Sequence, residues 1–394
     1  MTNSSSIKLL PLFFSSFALC SFLLSEDQNA TFSDEELMEM LFEEPEQVEL
    51  KEETESKWIS SYSGETGAGY SDNPLYGPFV REDAPYLESS IEAFFLKDGG
   101  SGAFSYLYLF GEGKVFEGLP EYKTSSILLG QFDHSINPFQ SVVTYGIRFR
   151  HTFYDQAFDF SELGLPYRIK VQSNKTEWIP YVVYKFSDEI KATLELIGGK
   201  EDYRKISDDN QFKAIALALK GSSNFGSWKL VTKFYEKNYQ DRLKRKSDGS
   251  LFSFDSVETK RIQLSIGMDH TFEIPTFRNS SANLRLDRLS DQAGAYYDHK
   301  KISLALEQEI EFHPYEIALR TDLSKTQYDQ RTINTGERFE RDGLQFGVSI
   351  KREIPEISEK LDLYLRWSRE EDFSNDRDYE YFSNFWSFGI SWEI

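Results

Sequence analysis

Apolar and polar residues alternate along most of the chain from Trp58 to Ile394, with the period of two that places neighbouring side chains on opposite faces of a β-strand. The pattern is clearest at the C-terminus, where Trp386, Phe388 and Ile390 share one face and mostly small or polar residues occupy the other. The pattern divides into about sixteen segments whose connections alternate between short and long. This rhythm is typical of a closed antiparallel transmembrane β-barrel, an all-β fold in which only alternate residues face lipid.

Residues suited to tight reversals mark seven short connections. These are predicted near 98–102, 137–139, 187–188, 223–226, 274–280, 313–315 and 355–358. Longer polar connections are predicted near 73–86, 112–124, 155–177, 200–210, 240–257, 289–299, 329–341 and 371–378. Together they make sixteen strands, to within about two, and an even number returns both ends to one side, the periplasm in an outer-membrane barrel. Two segments depart from this simple division: residues 167–171 suit an extra short strand, and Pro180 requires a bulge in its strand.

Composition divides the chain into three parts. Residues 1–25 carry Lys8 before an apolar stretch and are predicted to be a secretory signal peptide. Residues 26–56 hold thirteen acidic residues against one lysine, and we expect an acidic periplasmic tail with one short helix. The tail has three interpretations: a solvated linker, a docking segment, or a plug in the barrel mouth. Residues 57–394 are predicted to form the barrel.

The overall composition excludes several classes of protein. With 39% hydrophobic residues, a mean hydropathy of −0.51 and no further run of eighteen apolar residues, helical membrane spans are excluded. The formal net charge of −21 argues against nucleic acid as a partner. The single cysteine, Cys20, falls in the predicted signal peptide, so the mature chain has no disulfide.

The histidines do not suggest a catalytic centre. All five are scattered along the chain, with His151 and His270 on predicted apolar faces and His313 beside Pro314 in a predicted turn. No paired-histidine spacing indicates a metal site. We therefore predict no catalytic residue, no metal and no cofactor. An outer-membrane hydrolase remains an alternative from a different class.

Charged residues at every second position of several strands are candidates for the inner wall of the barrel. The candidate pore-lining residues are Arg148, Arg150, Lys229, Lys233, Glu307, Glu309, Glu311, Arg320 and Asp322. Opposed acidic and basic walls would create a transverse field that screens solutes by charge, whereas the simpler interpretation is a hydrated lumen surface. The predicted loop 155–177, the longest, is expected to fold inward as a constriction.

In overall plan, residues 57–394 resemble the outer-membrane porin-like barrels of Gram-negative bacteria. The alternating C-terminal strand is similar to the barrel-assembly signal of that class, although Ile394 stands where the family most often has Phe. The stretch 67–75 is also similar to the first strand of porins found near exopolysaccharide genes.

The resemblance implies a location in the bacterial outer membrane. Its implied function is a channel for passive diffusion or export of hydrophilic solutes or polymer, with a surface adhesion or structural barrel of blocked lumen as the alternative. Expected partners are outer-membrane lipid, lipopolysaccharide and the barrel-assembly machinery, which would recognise the C-terminal strand. A homo-oligomer is left open by the resemblance.

Overall fold

The computed structural model describes residues 58–394 apart from 79–80, 100–101, 120–121, 139–140, 160–167, 205–207, 224–225, 247–248, 273–275, 293, 356 and 359. The predicted signal peptide and acidic tail, with its short helix and possible plug, lie outside the described residues and stay predictions. Within the described residues, no helix is long and apolar enough to cross a membrane.

Sixteen strands pair in chain order, each antiparallel to the next, and β1 pairs with β16 to close the barrel. The strands are β1 Trp58–Ser71, β2 Ala84–Asp98, β3 Ala103–Phe116, β4 Thr124–Ile136, β5 Val143–Asp159, β6 Arg168–Lys185, β7 Ile190–Tyr203, β8 Asn210–Ser223, β9 Gly226–Arg245, β10 Leu251–Thr271, β11 Phe277–Asp291, β12 His299–Phe312, β13 Tyr315–Thr332, β14 Arg338–Glu353, β15 Leu361–Ser374 and β16 Tyr381–Glu393. A short 3-10 helix, Arg377–Tyr379, lies between β15 and β16. The predicted fold class and the strand number are confirmed.

The start of β1 and the end of β16 lie at the same mouth of the barrel, the one that carries the shorter connections. We call it the short-turn mouth. The predicted short turns match the observed connections, as at 99–102 between β2 and β3 and at 313–314 between β12 and β13. At the opposite mouth the predicted long loops are mostly wrong in extent. Residues 240–257, for example, belong largely to β9 and β10, which leave only 246–250 between them.

The extent was wrong because strands project beyond the lipid-facing belt. There both faces of a strand contact water, so the apolar alternation disappears while the backbone pairing continues. Two local predictions are also corrected. Residues 168–171 begin β6 and form no separate strand. Pro180 pairs with Ile147 without a bulge, and the register between β6 and β7 is the same on both sides of Pro180.

Large apolar side chains cover the outside of the barrel instead of its interior. In a water-soluble domain most such residues would be buried, so this distribution is inverted. It matches a wall that faces hydrocarbon on the outside and water on the inside. The exposed set includes Leu87, Ile91, Leu109, Leu128, Phe132, Phe149, Leu194, Leu196, Ile215, Leu217, Phe234, Ile262, Ile266, Leu286, Ile302, Leu363, Leu365, Trp386 and Phe388.

Exposed aromatic rings mark the short-turn mouth. Trp58, Tyr145, Tyr184 and Tyr315 all lie within three residues of a strand end there and point outward. Such amphipathic rings are favoured where hydrocarbon meets the headgroup layer. Fourteen residues of strand, the length of β1, span about 46 Å and rise about 35 Å at a tilt of about 40°, enough to cross the apolar core.

The seam between β1 and β16 depends on glycine. Gly67 pairs directly with Gly389. A Cβ added to Gly67 would lie only 2.2 Å from the hydroxyl oxygen of Tyr364, too close for a real contact. The ring of Tyr86 similarly fills the space beside Gly69. The glycines of this first strand therefore make room for inward-facing aromatic rings, which cover the joint that closes the barrel.

Candidate functional site

Contacts that skip a strand identify the inner face of the barrel. Arg148 on β5 reaches Glu195 on β7 at 3.3 Å, and Lys351 on β14 reaches Glu65 on β1 at 3.6 Å. Side chains on a concave wall converge, whereas those on the convex wall diverge, so such contacts form inside the cylinder. Sixteen strands about 4.8 Å apart and tilted by about 40° enclose a cylinder about 32 Å across.

All nine predicted pore-lining residues occupy inward positions in the observed register. On β12 and β13, for example, Glu307 pairs with Arg320 on the face opposite to outward-pointing Ile302. On β9, Lys229 and Lys233 share the face of the buried Tyr235, while Phe234 points outward. The role of these residues in lining a pore stays a prediction.

One buried ion-pair network on this wall lies between β4 and β7. Arg148 Nε donates to Asp133 Oδ2 at 2.9 Å, and Tyr181 donates to the other oxygen of Asp133 at 2.6 Å. The side chains of Asp133 and Arg148 are only 2% and 8% exposed. With Glu195, Arg148 thus lies between two carboxylates. Ion pairs so sheltered hold both partners in one geometry.

One rung away, Arg150 belongs to a second network. Its Nε donates to Gln131 at 2.8 Å, and its Nη1 lies 3.4 Å from Glu177, which also contacts Lys175 at 3.5 Å. Gln131 donates in turn to the hydroxyl of Tyr106 at 2.7 Å. These bonds join β3, β4, β5 and β6 into one polar sheet surface.

Further ion pairs follow the wall around the barrel. Arg320 contacts Asp322 at 2.8 Å, within one strand. Arg261 on β10 binds both carboxylate oxygens of Asp287 on β11, at 2.8 Å and 3.0 Å. The two-point geometry fixes the guanidinium and is stronger than a single contact.

The predicted pore-lining residues Glu307, Glu309 and Glu311 of β12 occupy the same inner face near the short-turn mouth. Glu309 accepts a hydrogen bond from Asn279 at 2.7 Å, and Glu311 is paired with Arg278. Glu316 of β13 lies directly opposite Glu311 in the register. We call Glu307, Glu309, Glu311 and Glu316 the acidic sector.

Basic side chains concentrate on a different part of the wall, the inner face of β5–β9. The basic sector comprises Arg148, Arg150, Lys175, Lys185, Lys191, Lys220, Lys229, Lys233 and Lys237. Lys185, Lys191 and Lys220 were missed by sequence reasoning, because their alignment depends on the register between strands. Basic side chains outnumber acidic ones on this part of the wall, although Glu177, Glu195 and Glu201 lie among them. Likewise, Arg320 lies opposite Glu307 in the acidic sector.

The predicted extent of the constriction loop is wrong, because most of 155–177 belongs to β5 and β6, where Asp155 and Lys170 form an ion pair at 3.0 Å. Residues 160–167 lie outside the described residues, and their inward folding stays a prediction. The connection between β1 and β2 does turn inward. Its Leu75 is 4% exposed and packs in a cluster with Tyr86 and Phe116, both inward-facing.

Tyr76 in the same connection contacts the inward rings of Tyr381 and Phe385 at centroid distances of 5.2 Å and 6.1 Å. Asn73 anchors the connection through hydrogen bonds to Gly77 and Phe382. The sequence signal for this contact was the apolar pair 75–76 directly after Pro74, in an otherwise polar stretch.

Four of the five histidines lie away from the lumen charges, whereas His299 occupies an inward position at the start of β12, where its ring contacts Tyr328 of β13. His151 shares the outer face with Phe149, and His313 is in the turn after β12, as predicted. Ser105 and His134 form a side-chain hydrogen bond of 2.7 Å on the outer face. In the part of the chain that the structure describes, no group of three or more histidine, cysteine or acidic residues is arranged to hold a metal ion.

No protein-family model matches the chain. The comparison with curated proteins also found no match. Among solved structures, the chain is similar to an anion-selective porin from Comamonas acidovorans, at 11% identity and a TM-score of 0.47, covering 86% of this chain and 100% of that one. It is also similar to OccAB1 from Acinetobacter baumannii, at 11% identity and a TM-score of 0.43, covering 86% and 96%.

A third similar structure is a bacterial polysaccharide outer membrane secretin, at 8% identity and a TM-score of 0.42, covering 85% of this chain and 98% of that one. Likeness at this level concerns barrel architecture alone. The closed sheet itself shows the architecture: sixteen antiparallel strands with an apolar outer face and a charged inner face form a barrel of the transmembrane type. The predicted localisation, the bacterial outer membrane, is the one in which such barrels occur.

Proposed function

We propose that the protein is an outer-membrane channel through which hydrophilic solutes pass by diffusion. The observation that supports this most directly is the inner wall, where charged side chains from β1 through β15 face a cylinder about 32 Å across. A barrel of this strand number is wide enough to hold water. Nothing in this function needs a cofactor, because selection by charge and size requires only the fixed wall.

Planar-bilayer recording tests the proposal. We expect purified protein to produce stepwise, voltage-independent openings in KCl, because the wall is held by backbone pairing and ion pairs. A companion variant, Lys233→Glu, reverses a charge at a predicted pore-lining position and should shift the reversal potential in a salt gradient toward cations. A silent bilayer with confirmed insertion would contradict the channel and favour an adhesion barrel with a filled lumen.

The Ser105–His134 contact bears on the hydrolase alternative. An acid or amide on the second ring nitrogen would orient such a histidine as a base. Within the described residues, the side-chain hydrogen-bond partner of His134 is Ser105. His134 and Ser105 also lie on the outer face, away from the lumen charges. The wall geometry therefore favours transport over hydrolysis.

A further inference from the structure

The inner wall of the barrel carries an excess of positive charge on one side. Among the described side chains of the inner face of β4–β9, the nine cations of the basic sector face four carboxylates. These carboxylates are those of Asp133, Glu177, Glu195 and Glu201. Asp188 and Glu189, in the turn between β6 and β7, raise the number of carboxylates to six. The excess of cations over carboxylates is the same whichever cation pairs with whichever carboxylate, so this arc has a net positive charge.

The inner face near the start of the barrel has the opposite charge. Among the described side chains of β1–β3, this face carries one cation, Lys114, against four carboxylates. The carboxylates are those of Glu65, Glu88, Glu92 and Glu112. In the closed ring of sixteen strands, β8 and β9 lie almost opposite β1. The lumen therefore has an acidic side at β1 and a basic side across from it.

The N-terminal segment of the chain complements the basic side in charge. Residues 26–56 hold thirteen acidic residues against one lysine, a net charge of −12. This segment precedes Trp58, which begins β1 at the short-turn mouth. Four members of the basic sector lie within three residues of a strand end at the same mouth. They are Lys185, Lys191, Lys220 and Lys229. The two opposite charges are thus placed at one mouth of the barrel.

The segment is also long enough to reach the basic side. Met40, in the middle of the acidic residues, is eighteen residues from Trp58, a distance of up to about 60 Å in an extended chain. The barrel is only about 32 Å across. Because the segment is covalently tethered at the mouth, it meets the wall at a high effective concentration. The field of the wall attracts it toward β5–β9 and repels it from β1–β3.

We propose that the acidic segment 26–56 docks against the basic sector inside the short-turn mouth and partly fills the lumen there. Of the three interpretations of this segment, charge complementarity favours the plug. The docked carboxylates compete with soluble anions for the same cations of the wall, and salt weakens the docking by screening. The proposal rests on the proposed channel only for its effect on ion flow, since docking itself requires only the barrel.

Disulfide cross-linking in the full chain, with Cys20 replaced by serine, tests the docking. One cysteine replaces Met40, and the second replaces Ala218 on the inner face of β8 or, as the matched control, Ala318 on the inner face of β13. Both alanines are half-buried, and Ala318 lies beside the acidic sector. At low ionic strength we expect at least about tenfold more intramolecular disulfide with Ala218→Cys than with Ala318→Cys, and salt at about 0.5 M should remove the difference.

A variant with a neutralised segment separates charge from proximity. Replacing every acidic residue of 34–46 by its amide keeps the length of the segment and reduces its net charge from −12 to −5. The disulfide yield at Ala218→Cys should then fall toward that at Ala318→Cys. Folding is checked by heat-dependent gel mobility, and Ser222→Cys on the same face of β8 replaces Ala218→Cys if that barrel fails to fold.

Equal yields at the two walls with the native segment overturn the proposal, and so do disulfides that join two chains, because these place the segment on a second copy. In planar bilayers the neutralised segment should increase the anion current. A protein that cross-links preferentially at Ala218→Cys, yet conducts no ions with either segment, supports the docking and overturns the channel instead.

Discussion

At the scale of single residues, the inner wall is organised by compensated charge. Arg148 is almost completely buried between Asp133 and Glu195, and Tyr181 satisfies the remaining oxygen of Asp133. A sheltered ion pair contributes little net stability compared with an apolar pair, yet removing one partner leaves the others uncompensated. Such residues therefore constrain which substitutions the wall tolerates.

The variant Arg148→Met tests this at one position. We expect the free energy of unfolding, measured by urea titration of protein refolded into vesicles, to fall by about 3 kcal/mol, because two carboxylates lose their cation. The double variant Arg148→Met, Asp133→Leu should recover part of that loss. The control Lys200→Met breaks the exposed pair with Asp202 and should cause no measurable change. An Arg148→Met protein as stable as the wild type would show that the network is solvated.

At the scale of elements, the joint between the first and last strands depends on the close approach of Gly67 to Gly389. A Cβ at Gly67 would lie 2.5 Å from the carbonyl oxygen of Phe388 as well as against Tyr364. Backbone cannot move aside as a flexible side chain can. Closure of the barrel at this point therefore requires glycine.

Replacement of Gly67 by valine should weaken closure. We expect the free energy of unfolding to fall by about 1–3 kcal/mol through overpacking, together with a lower temperature for the loss of the compact form on a gel. Gly198→Ala is the matched control, because nothing lies within 4 Å of the added carbon. If the two variants melt at the same temperature, the seam does not depend on Gly67.

Strands and turns could be predicted from the sequence wherever contact with lipid requires apolar and polar residues to alternate. The period of two on β12 and the Pro314 turn after it located both elements, since one face must be apolar and Pro favours reversals. The projecting ends of β9 and β10 could not be predicted, because strands that contact water on both faces need no apolar face. The alignment of Lys185, Lys191 and Lys220 and the inward connection at Leu75 were missed, since pairing partners and loop packing depend on contacts distant in sequence.

At the scale of the whole molecule, the two faces of the barrel wall suit different surroundings, with lipid outside and water inside. Its closure through β1 and β16 leaves no open edge and pairs every strand with two neighbours, which a spanning sheet requires in lipid, while its apolar outer face contacts the hydrocarbon. Its inner face carries the charges, with the basic sector on β5–β9 and the acidic sector on β12–β13. The proposed channel depends on this division between outward and inward residues.

A spin-label scan of β12 in reconstituted vesicles tests that division most directly, in a chain whose Cys20 is replaced by serine. Oxygen dissolved in lipid should accelerate the spin relaxation of labels at Leu304 and Leu306. A water-soluble nickel complex should accelerate the spin relaxation of labels at Ala305 and Glu307. This alternation with a period of two is the predicted result. Equal access of the nickel complex to all four positions would contradict a membrane barrel with a hydrated lumen.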